Sequence, residues 1–337
     1  MKIGQVDLDQ RPLLIAEIGN NHEGSPDVAL QLADAAVRSG ADVVKAQIID
    51  PPKLVNRSEQ QRIAQLSRFR LDRDVFLEMG RRIRANGALF MASVFDCASL
   101  EQWAPDLDAI KIASGDLDFD PLLVIAANSG KPVVLSTGMS TITEIERAVN
   151  VFARALPAGV NLVDRLVVLH CVSLYPTPLA QANLSAMAVL RSRLGVPIGY
   201  SDHTLGLTAA MMALGLGARA IEKHFTLDKK FSEFRDHALS AEPDEFAVLA
   251  EAVRSYASIL GSGPSDGELV DAATRAVARR GIVAARDIPA DTVLTAADLD
   301  YVRPAVGLPP SASDRVIGRR VRGPLSVHQI LREEDLA

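Results

Sequence analysis

A (β/α)8 barrel followed by a small β-rich domain is the architecture this sequence predicts, and three observations lead to it. Over the first 260 residues, eight short β-branched or apolar runs alternate with amphipathic segments, the pattern of parallel βα units. Eight such units in roughly 250 residues are what a closed barrel requires. Polar residues gather at the C-terminal ends of nearly all eight runs. A doubly wound open sheet, the rival, would concentrate them at one switch point.

The strand candidates are residues 13–19, 42–49, 88–95, 109–114, 132–138, 165–172, 197–202 and 218–225. Helical patterns separate them. In SPDVALQLADAAVRSG, Ser25 can cap, Pro26 sits at the first helical position and Gly40 follows the end, a regular start and stop. The pattern EPDEFAVLAEAVRSYASILG ends at Gly261 and runs into GSGPSDGE, which reads as a linker. A helical stretch to Arg280 follows. These signals divide the chain into a barrel over residues 1–262, a linker over 263–280 and a tail domain over 281–337. The tail repeats itself at an offset of 37: IPADTVLTAADL at 288–299 against LSVHQILREEDL at 325–336. Leu294/Leu331, Asp298/Asp335 and Leu299/Leu336 are identical, which suggests internal pseudo-two-fold symmetry. So short a segment has little core of its own.

Composition narrows the function. With 337 residues, 48% hydrophobic and 23% charged, the chain is ordinary globular protein. A net charge of −6 gives no footprint for nucleic acid or an anionic membrane. The start, MKIGQVDLDQRP, lacks the apolar core of a signal peptide. The apolar run from Leu205 to Ala218 is too short to span a bilayer. Two cysteines, Cys97 and Cys171, make no disulfide framework, and a cytoplasmic protein with free thiols is expected.

The chemistry is expected at the strand ends. The first strand ends in AEIGNNHEG and turns Glu17 to the same face as Ile15. A carboxylate facing a barrel interior is costly unless paired, so Glu17 either holds a buried salt bridge or has a task. The second and fourth strands carry Lys45, with Gln47 on its face, and Lys111, with Asp116 just beyond the end. Two lysines in strands of one parity share a layer and would form an anion site, unless they snorkel to solvent. Ser136, Thr137 and Gly138 end the fifth strand and offer hydroxyls and backbone N–H groups to an anion, or serve only as a turn. Tyr175 precedes Pro176 after the sixth strand, in a stiff loop at the mouth. His170 and Cys171 lie on opposite faces; His170 is expected toward the helices, and Cys171 as an inert small core residue. His203 follows the seventh strand, and His224 ends the eighth on the face of Glu222. Two imidazoles at adjacent strand tips suit a metal completed by carboxylate, water or substrate. Asp236 and His237 are expected at the mouth.

AEIGNNHEG, VVKAQ, KIASGD, STGM, YPTP, YSDHT and EKHFT, in that order and followed by the tail, resemble the sialic acid synthase family, the phosphoenolpyruvate-condensing synthases of nonulosonic acids. The resemblance covers nearly the whole chain. It implies a TIM barrel with a C-terminal antifreeze-like (SAF) domain, in domain-swapped homodimers whose tail covers the partner's active site. It implies condensation of phosphoenolpyruvate with the aldehyde of an N-acyl amino sugar, typically N-acetylmannosamine, using a divalent metal, often Mn²⁺, with Mg²⁺ or Co²⁺ as alternatives. Lys45, Lys111, Ser114, Ser136 and Ser201 match phosphoenolpyruvate-binding positions, and His203 and His224 the metal ligands. Glu17, Gln47, Tyr175 and Asp236 match residues around the sugar and the reacting centre; Ser93 and Phe95 match the sugar-side pocket. Arg303 matches the arginine that reaches the sugar's N-acyl group across the dimer. Glu17 and Asp116 are the proton-transfer candidates.

Asp116 stands where many members have Glu, and Ser173 where many have Asn at this substrate-binding position. Asp291 and His328 replace the glycine of the tail's two equivalent turns; both residue types tolerate the left-handed conformation. Three other readings remain: a synthase of legionaminate or pseudaminate, a non-catalytic sugar-binding relative, and a metal-dependent hydrolase barrel. The second is disfavoured because Glu17, Lys45, Lys111, His203 and His224 are all present, and the third because no His-x-His follows the first strand.

Overall fold

The computed structural model describes residues 1–261 and 271–337. They fall into two compact units, Met1–Gly261 and Ser262–Ala337. Most of the Gly/Ser/Pro segment read as a linker lies outside the described residues; Ala272–Ala278, within the span assigned to it, is a helix capped by Asp271.

The first unit is a closed, parallel eight-stranded barrel. Its strands are β1 (Leu13–Gly19), β2 (Val43–Ile48), β3 (Leu89–Val94), β4 (Ala109–Ile112), β5 (Val133–Ser136), β6 (Leu166–Cys171), β7 (Ile198–Asp202) and β8 (Ala220–His224). β8 pairs with β1 and β7, which closes the ring. Alternation sorts the side chains. Outward residues such as Leu14, Val44, Ile110 and Ile221 pack under the helices. Inward residues near the strand starts, including Leu13, Ile15, Val43, Met91 and Val167, fill the barrel floor. One rung higher the inward positions turn polar: Glu17 is paired in register with Lys45, and Ser93 with Lys111. The apolar floor thus sets the depth at which the polar site begins.

Helix Pro26–Arg38 forms as its sequence predicts: the Ser25 side chain accepts from Val28 N and proline opens the first turn. A feature the sequence reading did not anticipate is the ribbon Lys2–Ile3/Val6–Asp7. It brings Ile3, Val6 and Leu8 into the barrel-floor cluster. Gly4 turns it at φ +56°, and a Cβ there would lie 2.8 Å from Leu89 Cδ1, so the turn requires glycine.

In the second unit, β9 (Gly281–Ala284) and β10 (Leu299–Val302) pair antiparallel, and single bridges join Ile288 to Leu325 and Val283 to Ile330. The repeat at offset 37 is structural. Leu294 N donates to Arg319 O while Leu331 N donates to Ile282 O; Asp291 N donates to Val321 O while His328 N donates to Ala284 O. Asp298 Oδ2 accepts from Thr295 N as Asp335 Oδ2 accepts from Arg332 N, each at 2.8 Å. Asp291 and His328 both adopt positive φ, 61° and 62°, as the glycine usually found there would. No helix among the described residues is long and apolar enough to cross a membrane.

Candidate active site

A cavity of about 690 Å³ opens over the C-terminal ends of the strands. Glu17, Lys45, Gln47, Ser93, Phe95, Lys111, Ser114, Ser136, Ser173, Tyr175, Ser201, His203, His224 and Asp236 line it. Asp116 does not; it closes the 3-10 turn Ser114–Asp116 beside the lining residues Ser114 and Gly115. Arg303 lies in the other unit, exposed just after β10.

The two lysines have different surroundings. Lys45 Nζ sits between two buried carboxylates, 3.2 Å from Glu17 Oε2 and 3.2 Å from Glu222 Oε2. Gln47 Nε2 donates to Glu17 at 2.9 Å, and Ser201 Oγ donates to Glu222 at 2.9 Å. Burial, reinforced by Glu222, pushes the Glu17 carboxyl above its ordinary range. Burial acts on Glu222 in the same sense, but Lys45, Lys111 and the Ser201 hydroxyl overcome it and keep that carboxylate ionised. The two carboxyls are therefore pushed in opposite directions, Glu17 upward and Glu222 downward, around the shared Lys45. Among the described residues, Lys111 Nζ donates only to Ser136 Oγ at 2.7 Å and Ile112 O at 2.9 Å. Burial pulls it down to about 8. It has no carboxylate within salt-bridge distance among the described residues.

Next to Lys111, Gly138 N donates to Ser114 Oγ at 3.0 Å, and Ser114 Oγ lies 3.2 Å from Cys171 Sγ. A Cβ at Gly138 would fall 2.2 Å from Ser173 Oγ and 2.9 Å from Cys171 Sγ. Only glycine leaves this nest of small donors open. Cys171 therefore stands on the cavity wall, where the sequence reading had it an inert core residue; it ends β6 pointing inward, in register with Ser201. His170 does face outward, bonded through Nε2 to Ala182 O and stacked on Tyr200.

The His203 and His224 rings are 5.4 Å apart between centroids. Tyr175 packs on His203 at 4.2 Å, and the Arg235 guanidinium covers Tyr175. His203 Nδ1 faces Val172 O at 2.8 Å, so Nδ1 carries the proton and Nε2 keeps its lone pair. His224 Nδ1 is buried without a partner among the described residues. Burial lowers the pKa of both rings, which keeps them neutral as a ligand must be. Among the described residues, no third His, Cys, Asp or Glu completes a metal-binding cluster.

His237 is not at the mouth. It is buried beneath it, with Nδ1 2.7 Å from Thr226 Oγ1 and Nε2 3.2 Å from Glu23 Oε1. It anchors the loop that presents Asp236. Several wall residues escaped the sequence reading. Asn20 donates to Gln47 at 3.0 Å, and Arg62, Gln65 and Phe69, in and just beyond helix Gln60–Ser67, line the mouth. Phe69 meets Phe234 at 5.0 Å. The polar run around that helix gave no signal for it. Glu222, which strand parity placed on the face of His224, was given no role in the sequence reading.

A barrel with buried, opposed charges and paired imidazoles at its strand ends is the architecture of a (β/α)8 enzyme. Residues 32–265 match the NeuB family and residues 279–337 the SAF domain, and the chain belongs to the NeuB family. It is 35% identical to the N,N'-diacetyllegionaminic acid synthase of Legionella pneumophila, over 93% of this chain and 91% of that protein. It is 36% identical to the N-acetylneuraminate-9-phosphate synthase of Drosophila melanogaster, over 72% of this chain and 67% of that one. Among solved structures, the N-acetylneuraminic acid (sialic acid) synthetase of Leptospira borgpetersenii superposes with a TM-score of 0.73 at 33% identity, covering 80% of this chain and 93% of that one. The protein is accordingly an enzyme, a synthase of the sialic acid synthase type.

Proposed function

We propose that this enzyme condenses phosphoenolpyruvate with the open-chain aldehyde of an N-acyl amino sugar of the N-acetylmannosamine type, giving a sialic acid and inorganic phosphate. The observation that carries this reading is Lys111: a buried cation without a carboxylate partner among the described residues, beside Ser136 and the Ser114–Gly138 nest. That is a site for a small, highly charged anion. Glu17, on the cavity wall with its carboxyl raised above the ordinary range by burial, is suited to proton transfer, with Asp116 as the second candidate. In the reaction, C3 of phosphoenolpyruvate attacks the aldehyde carbon, water adds at C2, and phosphate leaves with cleavage of the C2–O bond. Ser93, Phe95, Gln47, Tyr175 and Asp236 are the residues available to the sugar.

The imidazoles suit a divalent metal. Each has a ring nitrogen free of other duties, and a pair of neutral imidazoles leaves the remaining positions to water or substrate. A metal held by His203 and His224, Mn²⁺ foremost with Mg²⁺ or Co²⁺ as alternatives, would supply Lewis-acid polarisation of the aldehyde oxygen. The working unit in this reading is a domain-swapped homodimer in which Arg303 reaches the partner's sugar site.

A second reading, a legionaminate- or pseudaminate-type acceptor, is favoured by the 35% identity to the Legionella enzyme over nearly the whole chain. Phosphate release from phosphoenolpyruvate, measured with purified protein against N-acetylmannosamine, its 6-phosphate and 2,4-diacetamido hexoses, tests both. Release only with a diacetamido sugar would move the assignment to the second reading. Release with none of them would sink both.

A further inference from the structure

The tips of β7 and β8 hold a second buried charge pair, on the side of the strands away from the cavity. Glu222 and His224 face inward, so Lys223 faces the helices with Ile221 and Phe225, which belong to the core beneath them. Asp202 points outward with Tyr200 in the same way. The two are cross-strand partners in register. Their charged groups are 3.0 Å apart, and the residues are 1% and 0% exposed.

The pair grips backbone as well. Lys223 Nζ donates to Thr204 O at 2.6 Å, and Thr204 N donates to Asp202 Oδ1 at 2.8 Å. Thr204 is thus tied through both its carbonyl and its amide, and the Tyr200 hydroxyl donates to Asp202 Oδ1 at 3.3 Å. The residue enclosed between Asp202 and Thr204 is His203. Its carbonyl accepts from Thr177 N at 2.8 Å, and its ring is fixed on Val172 O. On the facing strand, the residue after Lys223 is His224. One ion pair therefore fastens the last rung before both imidazoles.

Stability alone is a weak reason for such a pair, because apolar side chains of similar size usually serve as well in a buried layer. What apolar side chains lack is a fixed grip on the Thr204 backbone. We propose that Lys223 and Asp202 are positioning residues that set the separation and aim of the His203 and His224 rings for a divalent cation. This rests on the metal reading above.

The test is Mn²⁺ affinity of the purified, chelator-stripped protein, measured by electron paramagnetic resonance and calorimetry without substrates. The double variant Asp202→Leu/Lys223→Leu leaves no unpaired buried charge and carries the main test. It is expected to unfold in EDTA within a few degrees of the parent while binding Mn²⁺ about tenfold to a hundredfold more weakly. Lys223→Arg keeps the charge but alters its reach, and is expected to fall between. Phosphoenolpyruvate affinity without metal should stay unchanged in both. Mn²⁺ affinity equal to the parent's in either folded variant would overturn the proposal. So would a double variant that is unfolded in EDTA, since the pair would then serve the fold. If the parent itself bound Mn²⁺ no better than its His203→Ala variant, the metal reading would fall first and this inference with it.

Discussion

Replacing Lys111 with Met should separate anion binding from folding. Lys111 is 2% exposed and donates to a serine hydroxyl and a carbonyl; Glu222 feels its charge but keeps Lys45 and Ser201 as direct partners. Burial holds the ammonium near 8, so in the empty site the charge is a burden to the fold. The variant should therefore melt no lower than the parent. Phosphoenolpyruvate binding should suffer, because a hydrogen bond to a charged group is worth about 1.5–3 kcal/mol, or roughly 10- to 150-fold in KM. Lys45 makes the contrast. Removing it leaves Glu17 and Glu222 facing each other without a cation, a loss of the kind that costs about 3–5 kcal/mol in stability. The pH dependence carries a sign. The Lys111 pKa lies below that of an ordinary lysine, so the ammonium is present below about pH 8 and lost above it. The KM for phosphoenolpyruvate should climb above that pH, by at most about tenfold per unit, and the climb should vanish in Lys111→Met. The assay is phosphate release at saturating sugar, with calorimetric titration of phosphoenolpyruvate alongside. An affinity within twofold of the parent at pH 7 would refute the reasoning.

Three further outcomes are expected. Exhaustive dialysis against chelator should abolish activity, and Mn²⁺ should restore it in the parent but not in His203→Ala or His224→Ala; full activity of a verified metal-free preparation would contradict this. Burial, aided by Asp118, raises the Asp116 carboxyl to about 6, above its unfolded value, so its ionisation opposes folding as pH rises through the window from about 4 to 6. Asp116→Asn should accordingly melt higher than the parent at pH 7 and equal to it at pH 4, followed by calorimetry; equal melting at both would deny the burial. Mixing inactive Arg303→Ala and Lys111→Ala proteins under subunit exchange should restore activity, since half the sites of a mixed dimer would lack neither residue. Proven exchange without recovery would remove Arg303 from the partner's site.

How much of this was readable from the sequence depended on whether a signal was local. β1 and the Ser25 cap formed where periodicity and capping chemistry put them, and strand parity alone turned Glu17, Lys45, Lys111 and His224 into one cavity. The left-handed turns at Asp291 and His328 followed from the resemblance to a family whose members usually carry glycine at both positions. What escaped depends on contacts distant in sequence. Lys45 is shared between Glu17 and Glu222 only because β8 closes on β1, over 200 residues away in the chain. His237 looked like a mouth residue until the Glu23 loop covered it. Cys171 read as core because buried cysteines are usually inert, and the open space beside it comes from Gly138 in the turn after β5.

The central claim is that phosphoenolpyruvate becomes a carbon nucleophile here and gives up its phosphate by C–O cleavage. Phosphoenolpyruvate labelled with ¹⁸O in the bridging position between C2 and phosphorus tests it most directly. Incubated with the enzyme, Mn²⁺ and a competent N-acyl amino sugar, it should deliver the label to inorganic phosphate, in amounts equal to the nonulosonate formed. Label retained at C2 of the product, or phosphate released without a new carbon–carbon bond, would contradict the account.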